Sequence, residues 1–144
     1  MPYRRLFIMR KDLNMSAGKL AAQVAHCAEG FWTLGLITNA KPLDDNSGYK
    51  VDAIIEKDIF EQYLVSSITK TICAAKNKNH LLKAKTAAEA LGMEEGVDFD
   101  FIHDLCLTEL SPEEPDGTTI TGIWFKPLPD ETAHEISRKF QLYN

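Results

Sequence analysis

The sequence predicts an α/β protein, a three-layer sandwich in which a mixed, mostly parallel sheet of four strands carries helices on both faces. Short apolar or β-branched runs, typical of buried strands, alternate along the chain with segments of helical periodicity. Strands separated by helices favour a parallel arrangement. The last two strands follow each other without a helix, so one of them is expected to run antiparallel to the rest.

Composition is that of an ordinary globular protein, with 44% hydrophobic and 26% charged residues, and we expect one domain over residues 1–144. No apolar run approaches the roughly 20 residues that span a bilayer, so no membrane association is expected. The three cysteines are far apart and indicate neither a disulfide framework nor a metal site, which favours the reducing cytoplasm.

The first two elements are a short strand and a long helix. Leu6-Phe7-Ile8-Met9 is a continuous apolar run, consistent with a strand buried on both faces. Ser16 is a good N-cap, and the helix is expected to continue to about Leu34. Beyond it, residues 38–49 have the composition of a loop, and residues 58–67 form a short helix or an irregular segment. The stretch of about 36–68 is therefore predicted to be a variable, insertion-like segment.

The remaining elements are expected to be a strand, a capped helix, two strands and a closing helix. In chain order they cover residues 69–75, Asn77 to the stop at Gly92, 98–103, 119–125, and the residues from Pro129 onward.

Three polar side chains share one face of the first helix. Lys19, Gln23 and His26 are neighbours there, because residues three and four apart lie together on a helix. Lys19 falls in the first turn, where a cation opposes the helix dipole at a cost of about 0.3–1 kcal/mol. This placement fits a site for an anion or a developing oxyanion. A solvated surface lysine explains the same spacing equally well.

Asp104 is expected to join this face from a distant part of the chain. In open α/β sheets the functional crevice lies beyond the carboxyl ends of the strands. Lys19 follows the first strand and Asp104 follows the strand over 98–103, so both arrive at one edge of the sheet. An adjacent lysine and aspartate favour each other's charged forms.

The net charge of −5 argues against a broadly basic nucleic-acid surface. A local basic patch is nevertheless expected, because cations cluster near the N-terminus while acidic residues dominate 94–116. The clustered cations are Arg4, Arg5, Arg10, Lys11 and Lys19.

Several sequence blocks, in this order, resemble the type II peptidyl-tRNA hydrolase family, the archaeal and eukaryotic class of that activity. The blocks are Arg10-Lys11-Asp12-Leu13, Met15-Ser16-Ala17-Gly18-Lys19, Ala21-Ala22-Gln23-Val24-Ala25-His26, Asp104 with Thr108-Glu109, the Gly117 to Thr121 turn and strand, Lys126-Pro127, and Phe140-Gln141-Leu142-Tyr143.

The resemblance implies hydrolysis of the ester that joins a peptide to the terminal ribose of tRNA. It also implies a compact mixed sheet of four strands, commonly a homodimer, and no metal or organic cofactor. It places catalytic roles on Lys19, Gln23, Asp104 and Thr108. Substrate-binding roles are expected for His26, Thr119, Thr121, Arg10 and Lys11.

Under this hypothesis a water attacks the ester carbonyl. Asp104 positions that water, Lys19 stabilises the oxyanion, and Gln23 and Thr108 orient water or substrate. His26 has a competing interpretation as a semi-buried structural histidine of the helix.

One block departs from the family pattern. The family usually has an Ala-Gly-Arg-Thr run after the aspartate, whereas this chain has Leu105-Cys106-Leu107-Thr108. The missing arginine removes a charged donor and marks a divergent member. Two alternatives therefore stay open: an inactive tRNA- or protein-binding module on the same fold, and a hydrolase of another small ester or amide.

Overall fold

The computed structural model describes residues 2–144. Its elements in chain order are β1 (Tyr3–Arg10), α1 (Ala17–Thr38), β2 (Ala40–Pro42), β3 (Tyr49–Val51), α2 (Lys57–Ile59), a π-helical turn (Phe60–Leu64), β4 (Lys70–Ala75), α3 (Lys78–Ala90), β5 (Phe99–Asp104), β6 (Thr119–Phe125), β7 (Leu128–Pro129), α4 (Asp130–Ser137) and β8 (Gln141–Leu142).

The main sheet has the strand order β5-β6-β1-β4-β8, with β7 paired to the start of β1. β1 and β4 are parallel, whereas β6 is antiparallel to both β1 and β5. Three of the four long strands therefore run in one direction, which confirms the mixed, mostly parallel sheet and its single reversed strand. The sheet also contains two strands of two residues, β7 and β8, so it has six strands rather than the predicted four.

Alternation along β1 builds the three layers. Phe7 and Met9 pack toward α1, in a cluster with Cys27 of the helix and Trp124 of β6. Leu6 and the other residues that face the opposite way pack with apolar side chains of α3 and α4. Because successive side chains of a strand point to opposite faces, one buried strand serves both layers. The prediction of helices on both faces is confirmed.

Gly30 sets how closely α1 approaches the sheet. A Cβ atom at this position would lie 2.3 Å from Nε1 of Trp124. A glycine in a helix interior costs about 1 kcal/mol relative to alanine, and here it permits direct packing of the helix backbone on the indole.

Arg5 lies in the core instead of in the predicted basic patch. Its guanidinium donates to the carbonyl oxygens of Phe125 at 2.7 Å, Cys27 at 3.0 Å and Ala28 at 3.1 Å. These bonds connect β1 to β6 and to α1. Burial lowers the pKa of Arg5 to about 10, so the group is still charged at neutral pH.

The segment between α1 and β4 is more ordered than its composition indicated. α1 continues to Thr38, where Asn39 donates from its side chain to the carbonyl of Gly35. The predicted loop of 38–49 is mostly a hairpin, in which Ala40 pairs with Val51. Its Asp and Asn residues form only the turn, since Asn46 has a φ of 59° and Asp45 accepts from Ser47. The predicted short helix or irregular segment is α2 followed by the π-helical turn.

No helix within residues 2–144 is both long and apolar enough to cross a bilayer.

Candidate active site

Lys19 and Asp104 form an ion pair between the first turn of α1 and the end of β5. The Nζ–Oδ1 distance is 2.8 Å, and only 12% and 10% of the two side chains are exposed. Ser16 caps α1 by accepting a hydrogen bond from the backbone N–H of Lys19, which fixes the residue at the helix start. The structure thus brings together the two charged residues that the sheet-edge argument predicted to meet.

The carboxylate of Asp104 has further donors. Nε2 of Gln23 lies 3.2 Å from Oδ1, and the backbone N–H of Cys106 donates to Oδ2 at 3.0 Å. Burial raises the pKa of Asp104, but the hydrogen bonds from Lys19, Cys106 and Gln23, together with the charge of Lys19, outweigh it and leave that pKa below its ordinary value. Asp104 is therefore ionised at neutral pH and is a weak base.

Thr121 of β6 fixes the side chain of Gln23 through a hydrogen bond on the side away from Asp104. The hydroxyl of Thr121 donates to Oε1 of Gln23 at 2.6 Å, and both side chains are buried. This bond fixes the orientation of the amide, so that its NH₂ group points at Asp104. Thr121 is completely buried and its hydroxyl contacts Gln23, and its predicted substrate-binding role stays a prediction.

The loop after β5 returns to the N-terminus of α1. Oγ1 of Thr108 lies 3.4 Å from Nζ of Lys19, and Glu109 accepts from the backbone N–H of Ser16 at 3.1 Å. The hydrogen bonds from Ser16 lower the pKa of Glu109. Cys106 and Glu109 have φ values of 59° and 65°, a left-handed conformation that is uncommon for side chains of this kind and concentrates at functional sites.

Thr119 supports this loop and is not exposed to substrate. Its hydroxyl donates to the carbonyl of Ser111 at 2.6 Å and accepts from the backbone N–H of Glu113 at 3.1 Å. The residue is fully buried, and its predicted substrate-binding role stays a prediction.

Arg10 has a similar supporting position. It is 3% exposed and pairs with Asp12 at 2.8 Å and with Glu113 at 2.6 Å, and it donates to the carbonyl of Ile120 at 3.0 Å. Burial lowers the pKa of Arg10, but these hydrogen bonds outweigh it and raise the pKa above its ordinary value. The guanidinium is thus paired within the protein, and its expected contact with substrate stays a prediction.

Lys11 and His26 remain accessible. Lys11 is exposed, and its Nζ lies 5.6 Å from the ring centre of Tyr143. His26 is exposed on α1 and not semi-buried, so the structural interpretation of this histidine is wrong. His26 lines the same cleft as Lys19 and Asp104.

That cleft has a volume of about 730 Å³ and opens to solvent. One wall is apolar, since Leu105 and Leu107 expose 68% and 83% of their surface beside the ion pair. The lining consists of Lys19, His26, Phe101, Ile102, His103, Asp104, Leu105, Leu107 and Thr108. A buried ion pair, polar donors and an apolar wall together suit an uncharged carbonyl compound that becomes anionic during reaction.

Within residues 2–144, no three His, Cys, Asp or Glu side chains are grouped closely enough to hold a metal ion.

The sequence of the chain matches the family model described as peptidyl-tRNA hydrolase PTH2 over residues 3–143. The chain belongs to this family. A peptidyl-tRNA hydrolase of Methanopyrus kandleri is 33% identical over 140 residues, covering 97% of each chain. One of Thermococcus onnurineus is 28% identical over 140 residues, again with 97% of each chain covered. The mitochondrial peptidyl-tRNA hydrolase 2 of Mus musculus is 26% identical over 141 residues, which are 98% of this chain and 64% of the mouse protein.

Among solved structures, a protein of unknown function from Agrobacterium is similar in fold. Its TM-score is 0.55 at 10% sequence identity, and the match covers 100% of this chain and 99% of the other. At this identity the likeness concerns the fold alone.

In this PTH2-family chain, sequence reasoning missed two contributors to the site. The backbone N–H of Cys106 donates to Asp104, and Glu109 connects the loop to Ser16. Neither follows from residue type at a fixed spacing. The Thr108-Glu109 pair within the family block was the one available signal for Glu109.

Proposed function

We propose that this PTH2-family chain hydrolyses the ester between a peptide and the terminal ribose of tRNA, releasing free tRNA. The observation that carries the proposal is the ionised Asp104, held by Lys19 and Gln23 at the wall of an open cleft. The family match and the names of the relatives identify peptidyl-tRNA as the substrate class.

Asp104 acts on the attacking water. Its carboxylate accepts a hydrogen bond from the water and directs a lone pair at the ester carbonyl carbon. Because its pKa is low, Asp104 orients the water more than it removes a proton. The new C–O bond gives a tetrahedral oxyanion, the ester C–O bond to the ribose then breaks, and the proton of the water ends on the departing ribose oxygen.

Lys19 stabilises the oxyanion. An ammonium group has three N–H donors, of which one points to Asp104 and a second approaches Thr108. The third is available to the cleft, where negative charge develops in the transition state. Lys19 also lies at the positive end of the α1 dipole, which adds to the attraction for an anion.

Gln23 and Thr108 complete the catalytic group. Gln23 keeps Asp104 in place, and the hydroxyl of Thr108 limits the positions open to Nζ of Lys19. His26 and Lys11 are the exposed residues that we assign to substrate contacts. The apolar wall at Leu107 suits apolar side chains of the peptide.

We also propose that the protein forms a homodimer in the cytoplasm. Support for a dimer comes from an apolar groove of about 480 Å³ between α1 and the segment before α2. Ile54 is fully exposed there, beside Trp32 and Ile55. A contiguous exposed apolar region is typical of an interaction surface, and a second copy of the chain is the partner that we propose. Cys27, Cys73 and Cys106 are free, as suits a reducing compartment.

The dimer is tested by sedimentation of wild type and Ile54→Glu. We expect the variant to sediment as a monomer, and a wild type that is monomeric at micromolar concentration would contradict the proposal.

The hydrolase is tested with purified wild type, Lys19→Ala and Asp104→Asn incubated with peptidyl-tRNA, and release of tRNA is followed. We expect wild type to release tRNA much faster than either variant. Wild-type release no faster than that of the variants rejects the enzyme, and salt-sensitive tRNA binding in that case identifies a binding module. Turnover of simple esters but not of peptidyl-tRNA identifies a hydrolase of small substrates.

A further inference from the structure

Three lysines surround a depression at the other half of the sheet edge that carries Asp104. Lys11 follows β1, Lys76 follows β4 and Lys139 precedes β8, and all three are exposed. The backbone N–H of Lys11 donates to the carbonyl of Ala75 at 2.8 Å, so the first two lysines leave the sheet side by side. The depression has a volume of about 200 Å³, and no Asp or Glu side chain belongs to its lining.

These three lysines have no carboxylate within ion-pair distance among residues 2–144. The other N-terminal cations behave differently, since Arg4 pairs with Asp130 and Lys19 pairs with Asp104. Three adjacent cations without a counter-charge repel one another, in a chain whose net charge is −5. An anion supplied from outside the protein would remove this repulsion.

Aromatic rings accompany the lysines. The ring of Tyr143 lies under Nζ of Lys11 at 5.6 Å, and its backbone N–H donates to the carbonyl of Ile72 at 3.0 Å. The ring of His80 stacks on Phe140 with centroids 4.4 Å apart. Tyr143 and Phe140 also pack against the two hydrophobic cores, so these rings position the segments that carry the lysines. A positively charged groove that follows the phosphate backbone is one component of surfaces that bind single-stranded nucleic acid.

The depression lies within reach of the active site. β1, β4 and β5 run in the same direction, so their carboxyl ends share one edge of the sheet. From β5 to β4 there are three strand spacings, a distance of about 14 Å. A nucleic-acid strand whose terminal ribose lies at Asp104 would therefore place its next few phosphates over the lysines.

We infer that Lys11, Lys76 and Lys139 form a binding surface for the phosphates of the single-stranded 3′ segment of the tRNA. The inference rests on the proposed function for the identity of the RNA. It also replaces the N-terminal basic patch predicted from the sequence, of which only Lys11 is both exposed and free of a carboxylate partner among the described residues.

The test compares two double variants that each remove two exposed lysines with no carboxylate partner. One is Lys76→Gln/Lys139→Gln. The matched control is Lys41→Gln/Lys70→Gln, which removes a lysine of the distant β2–β3 hairpin and one at the opposite end of β4. Thermal unfolding of all three proteins verifies that they are folded. Binding of a short single-stranded RNA with the tRNA 3′ sequence is followed by fluorescence anisotropy between about 50 and 200 mM salt.

We expect the Lys76/Lys139 variant to bind this RNA about tenfold more weakly at the lowest salt. The slope of log K against log salt should become shallower by about 1.4, since each single-strand phosphate contact contributes about 0.7. KM for peptidyl-tRNA should rise in parallel. Equal RNA affinity and equal slopes for the two double variants would overturn the inference, and so would equal binding of polyglutamate and RNA by wild type.

The two proposals fail separately. If wild type binds the RNA through these lysines but does not hydrolyse peptidyl-tRNA, the hydrolase proposal is wrong and the proposed lysine surface stands. If wild type hydrolyses peptidyl-tRNA but the Lys76/Lys139 variant behaves like its control, the hydrolase proposal stands and the proposed lysine surface is wrong.

Discussion

The two halves of the sheet's carboxyl edge use the same kind of cation in opposite ways. Lys19 is almost buried and held by Asp104, whereas Lys11, Lys76 and Lys139 are exposed and have no carboxylate partner in residues 2–144. A paired cation has a fixed position, which is what charge stabilisation in a transition state requires. An unpaired group of cations attracts a polyanion over a longer range and holds it loosely.

Replacing Asp104 by asparagine tests the ion pair of Lys19 with Asp104 and should have the largest effect. Asp104→Asn preserves shape but removes the charge that orients the water, so we expect kcat to fall about 10³-fold. Single-turnover hydrolysis of peptidyl-tRNA measures this loss. Asp100→Asn, on the same strand, is the control and should retain most activity, and a loss below tenfold for Asp104→Asn would contradict the assigned role.

Replacing Lys19 by glutamine should lower kcat by about 10²–10³-fold, because the oxyanion loses its charged donor. It should also change the pH profile. Asp104 must be ionised to act, and in wild type its low pKa preserves activity as the pH falls. Without Lys19 this pKa rises, so the acid limb of kcat/KM should move to higher pH. If the acid limb of kcat/KM does not move, a group other than Asp104 controls the loss of activity at low pH.

Removing the hydroxyl of Thr121 should have an intermediate effect. Thr121→Val leaves the buried oxygen of Gln23 without its donor, at a cost of about 1–3 kcal/mol in the free energy of unfolding. The freed amide should also lower kcat/KM several-fold. Urea unfolding and steady-state kinetics measure both quantities. Thr33→Val, which removes a hydroxyl that bonds only within α1, is the control, and a similar loss in that variant would contradict the role of Gln23.

Adding a carboxylate beside Lys11, Lys76 and Lys139 should have the smallest effect. Gln141→Glu places a negative charge in the lining of the lysine depression, so KM for peptidyl-tRNA should rise about two- to threefold at low salt. The difference from wild type should vanish at about 1 M salt, where exposed charges are screened within roughly 3 Å. A salt-independent change would indicate an altered fold instead of an altered charge.

Much of the fold follows from local patterns. The strand over 119–125 and the helix from Asn77 to Gly92 have boundaries that composition and capping residues define. The pairing of Lys19 with Asp104 was also predictable, because it needs only two elements that end at the same edge of a sheet.

Other parts depend on information that local sequence does not contain. The first strand was predicted over Leu6 to Met9, but pairing with β4 extends it to Arg10 and it begins at Tyr3. Both added ends contain an arginine, Arg5 and Arg10, that was expected on the surface and is buried among carbonyls and carboxylates from elsewhere in the chain. The contact of Thr121 with Gln23 joins residues 98 positions apart and depends on the register of β6 against β1. Local sequence patterns do not specify that register.

Gly30 has no side chain, yet it influences the position of Lys19 in the active site. The distance between α1 and the sheet is set where the helix backbone rests on Trp124, eleven residues from Lys19. A methyl group there would force the helix and the indole apart, and α1 carries the ammonium group whose 2.8 Å contact with Asp104 defines the site. A position that lines no part of the cleft therefore constrains the placement of Lys19, and substitutions that disturb the site extend beyond the residues of the cleft itself.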